Sequence, residues 1–264
     1  MPDRPPNTAP TPPAERGPIT FDTAVAPFVP PQSFTDAAAE LGIEFDEGDV
    51  QRLGHYLAML FAANEVVNLT AATAPEQAWT RHILDSLTLM APLSEVEEGG
   101  SVIDVGSGGG LPGIPLAICM GHLRFRLLET TGKKAAFLRA AAAALKLKNV
   151  DVIAERAEVL GQDHKGHREQ YDAVVARAVG PMSVIAELTV PLAKVGTGRV
   201  LLIKGQKADE ELTAAKQALH MLHAAHAGTI DTPTGRIVAL EKARKTPRDY
   251  PRAPGEPKRK PLGE

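Results

Sequence analysis

Hydrophobic and polar positions follow two different periods along this chain, and the change falls near residue 95. Between Ser33 and Leu93 apolar side chains recur at helical spacing, most clearly over 46–64. From Ser101 onwards short apolar runs alternate with longer helical patterns. The sequence therefore predicts a mainly helical region followed by an α/β domain.

The predicted elements of the second region alternate between strand and helix. Strands are expected at 102–105, 124–129, 150–154, 171–176, 199–204 and 235–242, and helices at 112–120, 133–147, 181–194 and 208–225. This spacing is typical of a mostly parallel sheet with helices on both faces, which binds ligands at the carboxyl ends of its strands.

Four segments follow from these patterns. Residues 1–32 are rich in proline and poor in apolar side chains, and we expect them to be disordered. The segment 33–95 contains too few helices for a core of its own, so we expect it to cap the α/β domain, residues 96–243. A basic tail is predicted for 244–264.

Composition indicates the surface charge and the cellular compartment of the protein, but it says little about the reaction. A net charge of −3 over 264 residues excludes a uniformly basic nucleic-acid-binding surface but allows a local basic face. The single cysteine, Cys119, lies in an apolar run and is typical of a core residue in a reducing compartment. With no signal-peptide core and no run of about 18 apolar residues, we expect a cytoplasmic protein without a membrane segment.

The most informative stretch is the glycine-rich turn after the first predicted strand. Asp104 ends that strand, four glycines follow within 106–110, and a helix begins near Pro112. Two classes of nucleotide-like ligand are compatible with this turn. Residues 108–113 match the dinucleotide fingerprint G-x-G-x-x-G literally. In that fingerprint, however, the first glycine follows the strand directly, which here is Gly106. Counted from Gly106, the position of the third glycine is occupied by Leu111. The alternative is S-adenosylmethionine, whose methyltransferases favour an acid-x-Gly-x-Gly turn, here Asp104 to Gly108.

Other polar residues are predicted on the same edge of the sheet. Glu129 ends the next strand, where an acid can hold ribose hydroxyls. Ala157 and Glu158 follow the third strand and are placed to flank an adenine. Arg177 closes the fourth strand, and its guanidinium suits either a carboxylate or phosphate ligand or a structural ion pair.

Several motifs together resemble one bacterial family, the small-subunit ribosomal RNA guanine-N7 methyltransferases known as RsmG or GidB. They are Asn68-Leu69-Thr70, the run from Arg81 to Leu87, the loop from Asp104 to Pro115, Lys133-Lys134 with Phe137-Leu138, Ala176-Arg177-Ala178, Lys204-Gly205-Gln206, and the ending from Tyr250 to Leu262. The similarity covers roughly 45–262, and Glu129-Thr130-Thr131 and the long N-terminal arm depart mildly from the pattern.

The resemblance implies a seven-stranded, Rossmann-like class I methyltransferase that uses S-adenosylmethionine. The methyl group would be transferred to N7 of a guanine in the decoding-centre loop of 16S rRNA. The substrate would be free rRNA or the small ribosomal subunit. We expect the protein to be a monomer. The family's cofactor positions fall on Gly106, Leu111, Ala157, Glu158 and Arg177, and we add Asp104, Gly108 and Glu129.

The implied reaction needs no general base, because guanine N7 already carries a free lone pair. We therefore predict no catalytic acid or base, and no metal site. Candidate RNA contacts are Arg81, His82, Lys133, Lys134, Lys204, Arg248 and Arg252. On this basis, truncation from Arg248 should weaken rRNA methylation and flatten its salt dependence.

Three alternatives remain at this level. One is a methyltransferase that acts on a small molecule or on a protein glutamine. Glutamine methyltransferases usually contain an Asn-Pro-Pro-Tyr-type motif after the fourth strand, and residues 176–181 of this chain read Ala-Arg-Ala-Val-Gly-Pro instead. Another is an NAD-dependent oxidoreductase, and the third is an RNA-binding or ribosome-assembly factor with a vestigial cofactor site.

Overall fold

The α/β region forms a seven-stranded sheet. The computed structural model of the chain describes residues 19–71, 74–177 and 180–263. The strands are Ser101–Val105 (β1), Arg124–Leu128 (β2), Val150–Ile153 (β3), Ala173–Arg177 (β4), Arg199–Lys204 (β5), Ala225–Thr232 (β6) and Gly235–Glu241 (β7). Their order is β3-β2-β1-β4-β5-β7-β6, and β1 to β5 are parallel while β7 runs antiparallel to β5 and β6. The predicted mostly parallel, Rossmann-like sheet is confirmed.

Helices cover both faces of this sheet. The α-helices are Gln32–Glu40 (α1), Asp49–Asn64 (α2), Pro75–Ala78 (α3), Asp85–Leu87 (α4), Met90–Leu93 (α5), Gly113–Cys119 (α6), Gly132–Ala144 (α7), Ala157–Gly161 (α8), Met182–Thr189 (α9), Ala208–Ala214 (α10), Lys216–Leu222 (α11) and Glu256–Arg259 (α12). A π-helix, Trp79–Leu84, joins α3 to α4, and a 3-10 helix, Val190–Leu192, follows α9. The chain leaves β1 on one side and returns to β4 on the other, so the carboxyl ends of β1 and β4 flank the topological switch point.

The N-terminal helices share their core with the α/β domain. Phe34, Leu57 and Trp79 are fully buried in the same cluster as Ile114 of α6 and Phe137 of α7. Burying large aromatic and aliphatic side chains in one continuous cluster holds these helices against the face of the sheet that α6 and α7 cover.

Residues 19–31 differ from the sequence-based expectation of disorder, whereas 1–18 lie outside the described residues. Phe21 packs edge-on against Phe137 with ring centroids 5.5 Å apart, and Phe28 does the same against Phe61 at 5.6 Å. The backbone N–H of Phe28 donates to Gly54 O over 3.1 Å. The aromatic side chains in this proline-rich stretch find sites on α2 and α7, and that burial orders it.

The predicted single helix over 208–225 is interrupted and ends earlier than expected, at Leu222. It divides into α10 and α11 at Ala215, and 225–232 form the unpredicted strand β6. As an edge strand, β6 is exposed at most positions, and its pairing with β7 is irregular between His226 and Gly228. Its side chains therefore lack the alternating pattern that indicates a strand.

Candidate active site

The glycine loop continues directly from β1 and turns at the edge of the sheet. Gly106, Gly108 and Gly110 have φ values of +75°, +57° and +98°, a region that side chains other than glycine rarely adopt. The N–H groups of Gly106 and Ser107 both donate to Leu128 O, over 2.9 and 3.0 Å. These bonds fix the loop to the end of β2 and bring its backbone to the carboxyl edge.

Asp104 lies beneath this loop and is almost completely buried, with 1% of its surface exposed. Its Oδ2 accepts a hydrogen bond from the Gly113 N–H over 3.1 Å, while its Oδ1 is buried without a partner in the described part of the chain. Burial raises the pKa of this carboxyl to about 7. A buried acceptor that lacks a donor fits a site for a ligand with cationic groups.

Glu129 connects the loop to the turn after β2. Its Oε2 accepts from the Gly108 N–H over 2.9 Å, and its Oε1 accepts from the Thr131 N–H over 2.7 Å. Thr130 Oγ1 adds a longer contact to Oε1, at 3.5 Å. Two carboxylate oxygens offer about four lone-pair sites, so Glu129 keeps capacity for a hydroxyl donor beside these three contacts.

A cavity of about 280 Å³ opens beside the loop. It brings together three of the predicted cofactor residues, Gly106, Ala157 and Glu158, with apolar walls from Val105, Leu128, Val184 and Leu188 and polar groups from Thr130, Glu155 and Arg156. Asp104, Gly108 and Glu129 each lie within two positions of a lining residue. Apolar walls with a few convergent polar groups are typical of a small-molecule site.

Leu111 does not line this cavity. Its side chain is buried in the core cluster that contains Ile114 and Phe137, with 6% exposed. The side chain of Leu111 therefore belongs to the core and not to the wall of this cavity.

Part of the cavity wall comes from the C-terminal segment of the chain. Gly255, Pro257 and Lys258 line the cavity, and the Gly255 N–H donates to Glu158 Oε1 over 2.8 Å. The sequence did not predict these three residues at the cavity, because nothing in the local pattern of 250–258 indicates where the segment folds back.

Arg177 lies away from this cavity and is held by the N-terminal region. Its Nη1 donates to Arg81 O over 2.8 Å and to Asp85 Oδ2 over 3.0 Å, and its Nη2 lies 3.5 Å from His82 Nδ1. His82 Nε2 lies 2.6 Å from Thr70 Oγ1. Burial and the Arg177 charge lower the pKa of His82, so its ring is neutral at neutral pH.

A second cavity of about 280 Å³ borders Arg177 at the ends of β4 and β5. It is lined by Asp85, Arg177, Ile203, Lys204, Gly205, Glu211 and Thr234. Lys204 Nζ lies 2.6 Å from Glu211 Oε2 and donates to Gly180 O over 2.7 Å. Because β1 and β4 are hydrogen-bonded neighbours, the two cavities lie at adjacent positions along one edge of the sheet.

The predicted RNA-contacting residues divide into two groups. Arg81, Lys133 and Arg248 are exposed and Lys134 is half-buried. Among the described residues, Lys133, Lys134 and Arg248 form no ion pair. His82, Lys204 and Arg252 are instead engaged in internal contacts, which for Arg252 is an ion pair with Glu187 at 2.6 Å.

A larger groove of about 900 Å³ lies between α4–α5 and the β6–β7 edge, but none of the predicted site residues lines it.

Within 19–71, 74–177 and 180–263 no helix is long and apolar enough to cross a membrane. In the same ranges no group of three or more His, Cys, Asp or Glu side chains is placed to hold a metal ion.

The sheet order, the glycine loop and the carboxylates of Asp104, Glu129 and Glu158 near the ends of β1, β2 and β3 define an S-adenosylmethionine-dependent methyltransferase. A solved structure described as a putative S-adenosyl-L-methionine-dependent methyltransferase from Methanococcus maripaludis shares the fold, with a TM-score of 0.51 and 14% identity over 64% of this chain and 90% of the other. A family model described as rRNA small subunit methyltransferase G, GidB, matches residues 49–234. The chain belongs to this family.

Curated relatives extend that match over most of the chain. A protein of Sorangium cellulosum named "Ribosomal RNA small subunit methyltransferase G" is 48% identical over 91% of this chain and 99% of its own length. One of the same name from Pelotomaculum thermopropionicum is 40% identical over 88% of this chain and 98% of its own length.

Proposed function

We propose that the protein transfers the methyl group of S-adenosylmethionine to N7 of a guanine in the decoding-centre loop of 16S rRNA. The observation that carries the proposal is the pair of adjacent cavities at the switch point, one beside Gly106 and one beside Arg177. The relatives named above act, by their names, on small-subunit ribosomal RNA.

The first cavity suits the adenosine part of S-adenosylmethionine. Its apolar side chains offer the two faces a purine needs, and Glu129 has acceptor capacity for ribose hydroxyls. Asp104 supplies a buried carboxyl near the loop, where the cationic amino-acid end would lie. When bound, the cofactor supplies an electrophilic methyl group on a positively charged sulfur.

The second cavity suits the acceptor guanine. N7 would attack the methyl carbon with its own lone pair while the carbon–sulfur bond breaks and sulfur keeps the electron pair, so no proton would move. The protein's contribution is then to hold the two reactants in line, which can lower the barrier by about 7–11 kcal/mol.

Arg177 is best placed to orient a reactant. Two of its donors are committed to Asp85 and Arg81 O, which fixes the guanidinium at the border of the second cavity. This position favours guanine O6 or the carboxylate of the cofactor over the adenosine end as its ligand.

The rRNA would be attracted by cations exposed around this edge. Arg81 lies beside the second cavity, and Lys133 and Lys134 begin α7, just after the turn of Glu129. Together with Arg248 they can neutralise backbone phosphates. We propose that the enzyme acts on 16S rRNA as a monomer in the cytoplasm.

Methyl transfer from labelled S-adenosylmethionine to two matched transcripts of 16S rRNA tests this function. One transcript contains guanine and the other 7-deazaguanine, in which N7 is replaced by C–H. Labelling of the first alone supports attack by N7, and equal labelling of both contradicts it. Calorimetry with S-adenosylmethionine and NAD separately checks the cofactor.

A further inference from the structure

The C-terminal segment from Thr246 to Lys258 crosses α8 and reaches the cavity beside Gly106. We propose that this segment is part of the cofactor site: it holds α8 in position and closes the adenosine end of the cavity. The proposal rests on the function given above, in that this cavity binds S-adenosylmethionine.

A buried arginine fixes the start of the segment. Arg168, which is 4% exposed, donates from Nη1 to Gly161 O and Tyr250 O over 2.6 and 2.7 Å, and from Nη2 to Thr246 O and Pro247 O over 2.8 and 3.1 Å. One guanidinium thus joins the end of α8 to the segment. Hydrogen bonds from a charged donor are stronger than neutral ones and expensive to lose when buried.

A buried ion pair fixes the middle of the segment. Arg252 donates from Nε to Glu187 Oε1 over 2.9 Å and from Nη2 to Oε2 over 2.6 Å, and its backbone N–H adds a bond to Oε1 at 2.8 Å. The Glu187 side chain is fully buried in α9 and that of Arg252 is 20% exposed. Both oxygens of the Glu187 carboxylate therefore accept hydrogen bonds from a single residue of the segment, Arg252.

The segment also contacts α8 at both of its ends. At the C-terminal end, Gln162 Nε2 donates to Pro251 O over 2.8 Å, and Gly161 lies so close to the Pro251 ring that a Cβ there would fall 2.6 Å from Pro251 Cγ. At the N-terminal end, Glu158 accepts the N–H of Gly255. Since α8 has only five residues, these contacts set the position of Ala157 and Glu158.

Beyond Gly255 the segment becomes the wall of the cavity. Pro257 is buried and Lys258 is exposed, and both line the same cavity as Val105 and Leu128. A ligand in the cavity would therefore touch this segment directly, and the segment would become less mobile when the ligand binds.

The role of Arg252 in this arrangement differs from RNA binding. Because its Nε and Nη2 already donate to Glu187, Arg252 is a positioning residue for the cofactor site, acting through the segment. Arg259 provides a matched control, because it lies in α12 with 78% of its side chain exposed and pairs only with Glu256 within the described chain.

The test is calorimetry of S-adenosylmethionine binding to the full chain and to the Arg252→Ala and Arg259→Ala variants, with rRNA binding measured over a salt series. We expect Arg252→Ala to raise the Kd for S-adenosylmethionine at least tenfold, with the salt slope of rRNA binding unchanged, and Arg259→Ala to keep the Kd within twofold. A folded Arg252→Ala variant with unchanged cofactor affinity and a flatter salt slope would overturn the proposal.

Hydrogen exchange on the wild-type protein keeps the proposal testable if Arg252→Ala fails to fold. Addition of S-adenosylhomocysteine should slow amide exchange at 255–258 as well as at 106–110. Protection of the glycine loop without protection of 255–258 would contradict the C-terminal proposal alone. If the wild-type protein binds neither S-adenosylmethionine nor S-adenosylhomocysteine, the function proposed above fails instead.

Discussion

Arg177 at the end of β4 donates to Asp85 in α4 across 3.0 Å, although the two residues are 92 positions apart. The side chain of Asp85 is 9% exposed and that of Arg177 is 17% exposed. Asp85 Oδ1 also accepts from Thr234 Oγ1 in the turn between β6 and β7. The N-terminal helices, the central sheet and the β6–β7 hairpin thus meet at a single carboxylate beside the second cavity.

Replacing that carboxylate should disturb turnover more than cofactor binding. Asp85→Asn removes the charge that fixes Arg177, and losing a hydrogen bond to a charged group costs about 2 kcal/mol of folding stability. We expect single-turnover methylation to slow by about 10- to 100-fold, since small errors in alignment have effects of that size. If Arg177 orients guanine O6, cofactor affinity measured by calorimetry should stay within threefold, whereas a larger loss would assign Arg177 to the carboxylate of the cofactor.

A double-mutant cycle with Arg177→Ala provides the control. If the two residues act as one unit, the double variant should be little slower than Arg177→Ala alone. Asp151→Asn, at an exposed position of β3, should leave the rate unchanged. Fully additive losses from Asp85→Asn and Arg177→Ala would mean that the two side chains act independently.

Cofactor affinity should depend on pH through Asp104. Burial, opposed by the Gly113 N–H, raises its pKa to about 7 in the free protein, so the carboxyl is largely protonated below that pH. A bound cation favours the carboxylate, and binding then releases a proton. The affinity for S-adenosylmethionine should fall by up to about tenfold per pH unit below 7 and level off above it.

The Asp104→Asn variant cannot release this proton, so its affinity for the cofactor should be weaker at pH 8 and nearly flat between pH 5.5 and 8. Calorimetry in buffers of different ionisation enthalpy would count the protons released. An equally steep pH profile in the variant would assign the titration to another group.

A methyl group at Gly113 should damage the site through Asp104. A Cβ there would lie 2.3 Å from Leu127 Cδ2 and 2.8 Å from Asp104 Oδ2, whereas one at Gly121, just after α6, would meet nothing within 4 Å. We expect Gly113→Ala to cost about 1–3 kcal/mol of stability and to weaken cofactor binding. Thermal melting and calorimetry should show no such loss for Gly121→Ala.

The salt dependence of rRNA binding should report on the exposed cations. Arg248→Ala removes an exposed charge, so the slope of log affinity against log salt should decrease by about 0.7–0.9 if Arg248 contacts one phosphate. Arg124→Ala, at the opposite edge of the sheet, serves as the control. Identical slopes for the wild type and the Arg248 variant would exclude a phosphate contact.

Truncation from Arg248 does not isolate this effect, contrary to the expectation from sequence. It would also remove Arg252 and Gly255, which contact Glu187 and Glu158 inside the domain. Single charge substitutions therefore test the RNA contacts more cleanly.

The sheet and the glycine loop were predictable because their signals are local. Apolar runs identify β1 to β5, and the positive φ angles of Gly106 and Gly108 explain why glycine stands there. By contrast, the π-helix at Trp79–Leu84 leaves no mark in the sequence pattern, although it carries Arg81 O and His82 towards Arg177.

Contacts between distant segments could not be predicted. Arg168 looks like any charged loop residue, yet it is buried against carbonyls about 80 positions away. The basic neighbours of Arg252 indicate an RNA contact, and only the fold brings this residue to Glu187. Such pairs depend on tertiary packing, and neither periodicity nor composition records them.

The central claim is most directly tested by mapping modified guanines in 16S rRNA by mass spectrometry. RNA would be compared from cells with the gene, without it, and without it but expressing the Asp104→Asn variant. The account predicts one 7-methylguanine in the decoding-centre loop that disappears with the gene and is not fully restored by the variant. An unchanged 7-methylguanine content of 16S rRNA in cells that lack the gene would contradict it.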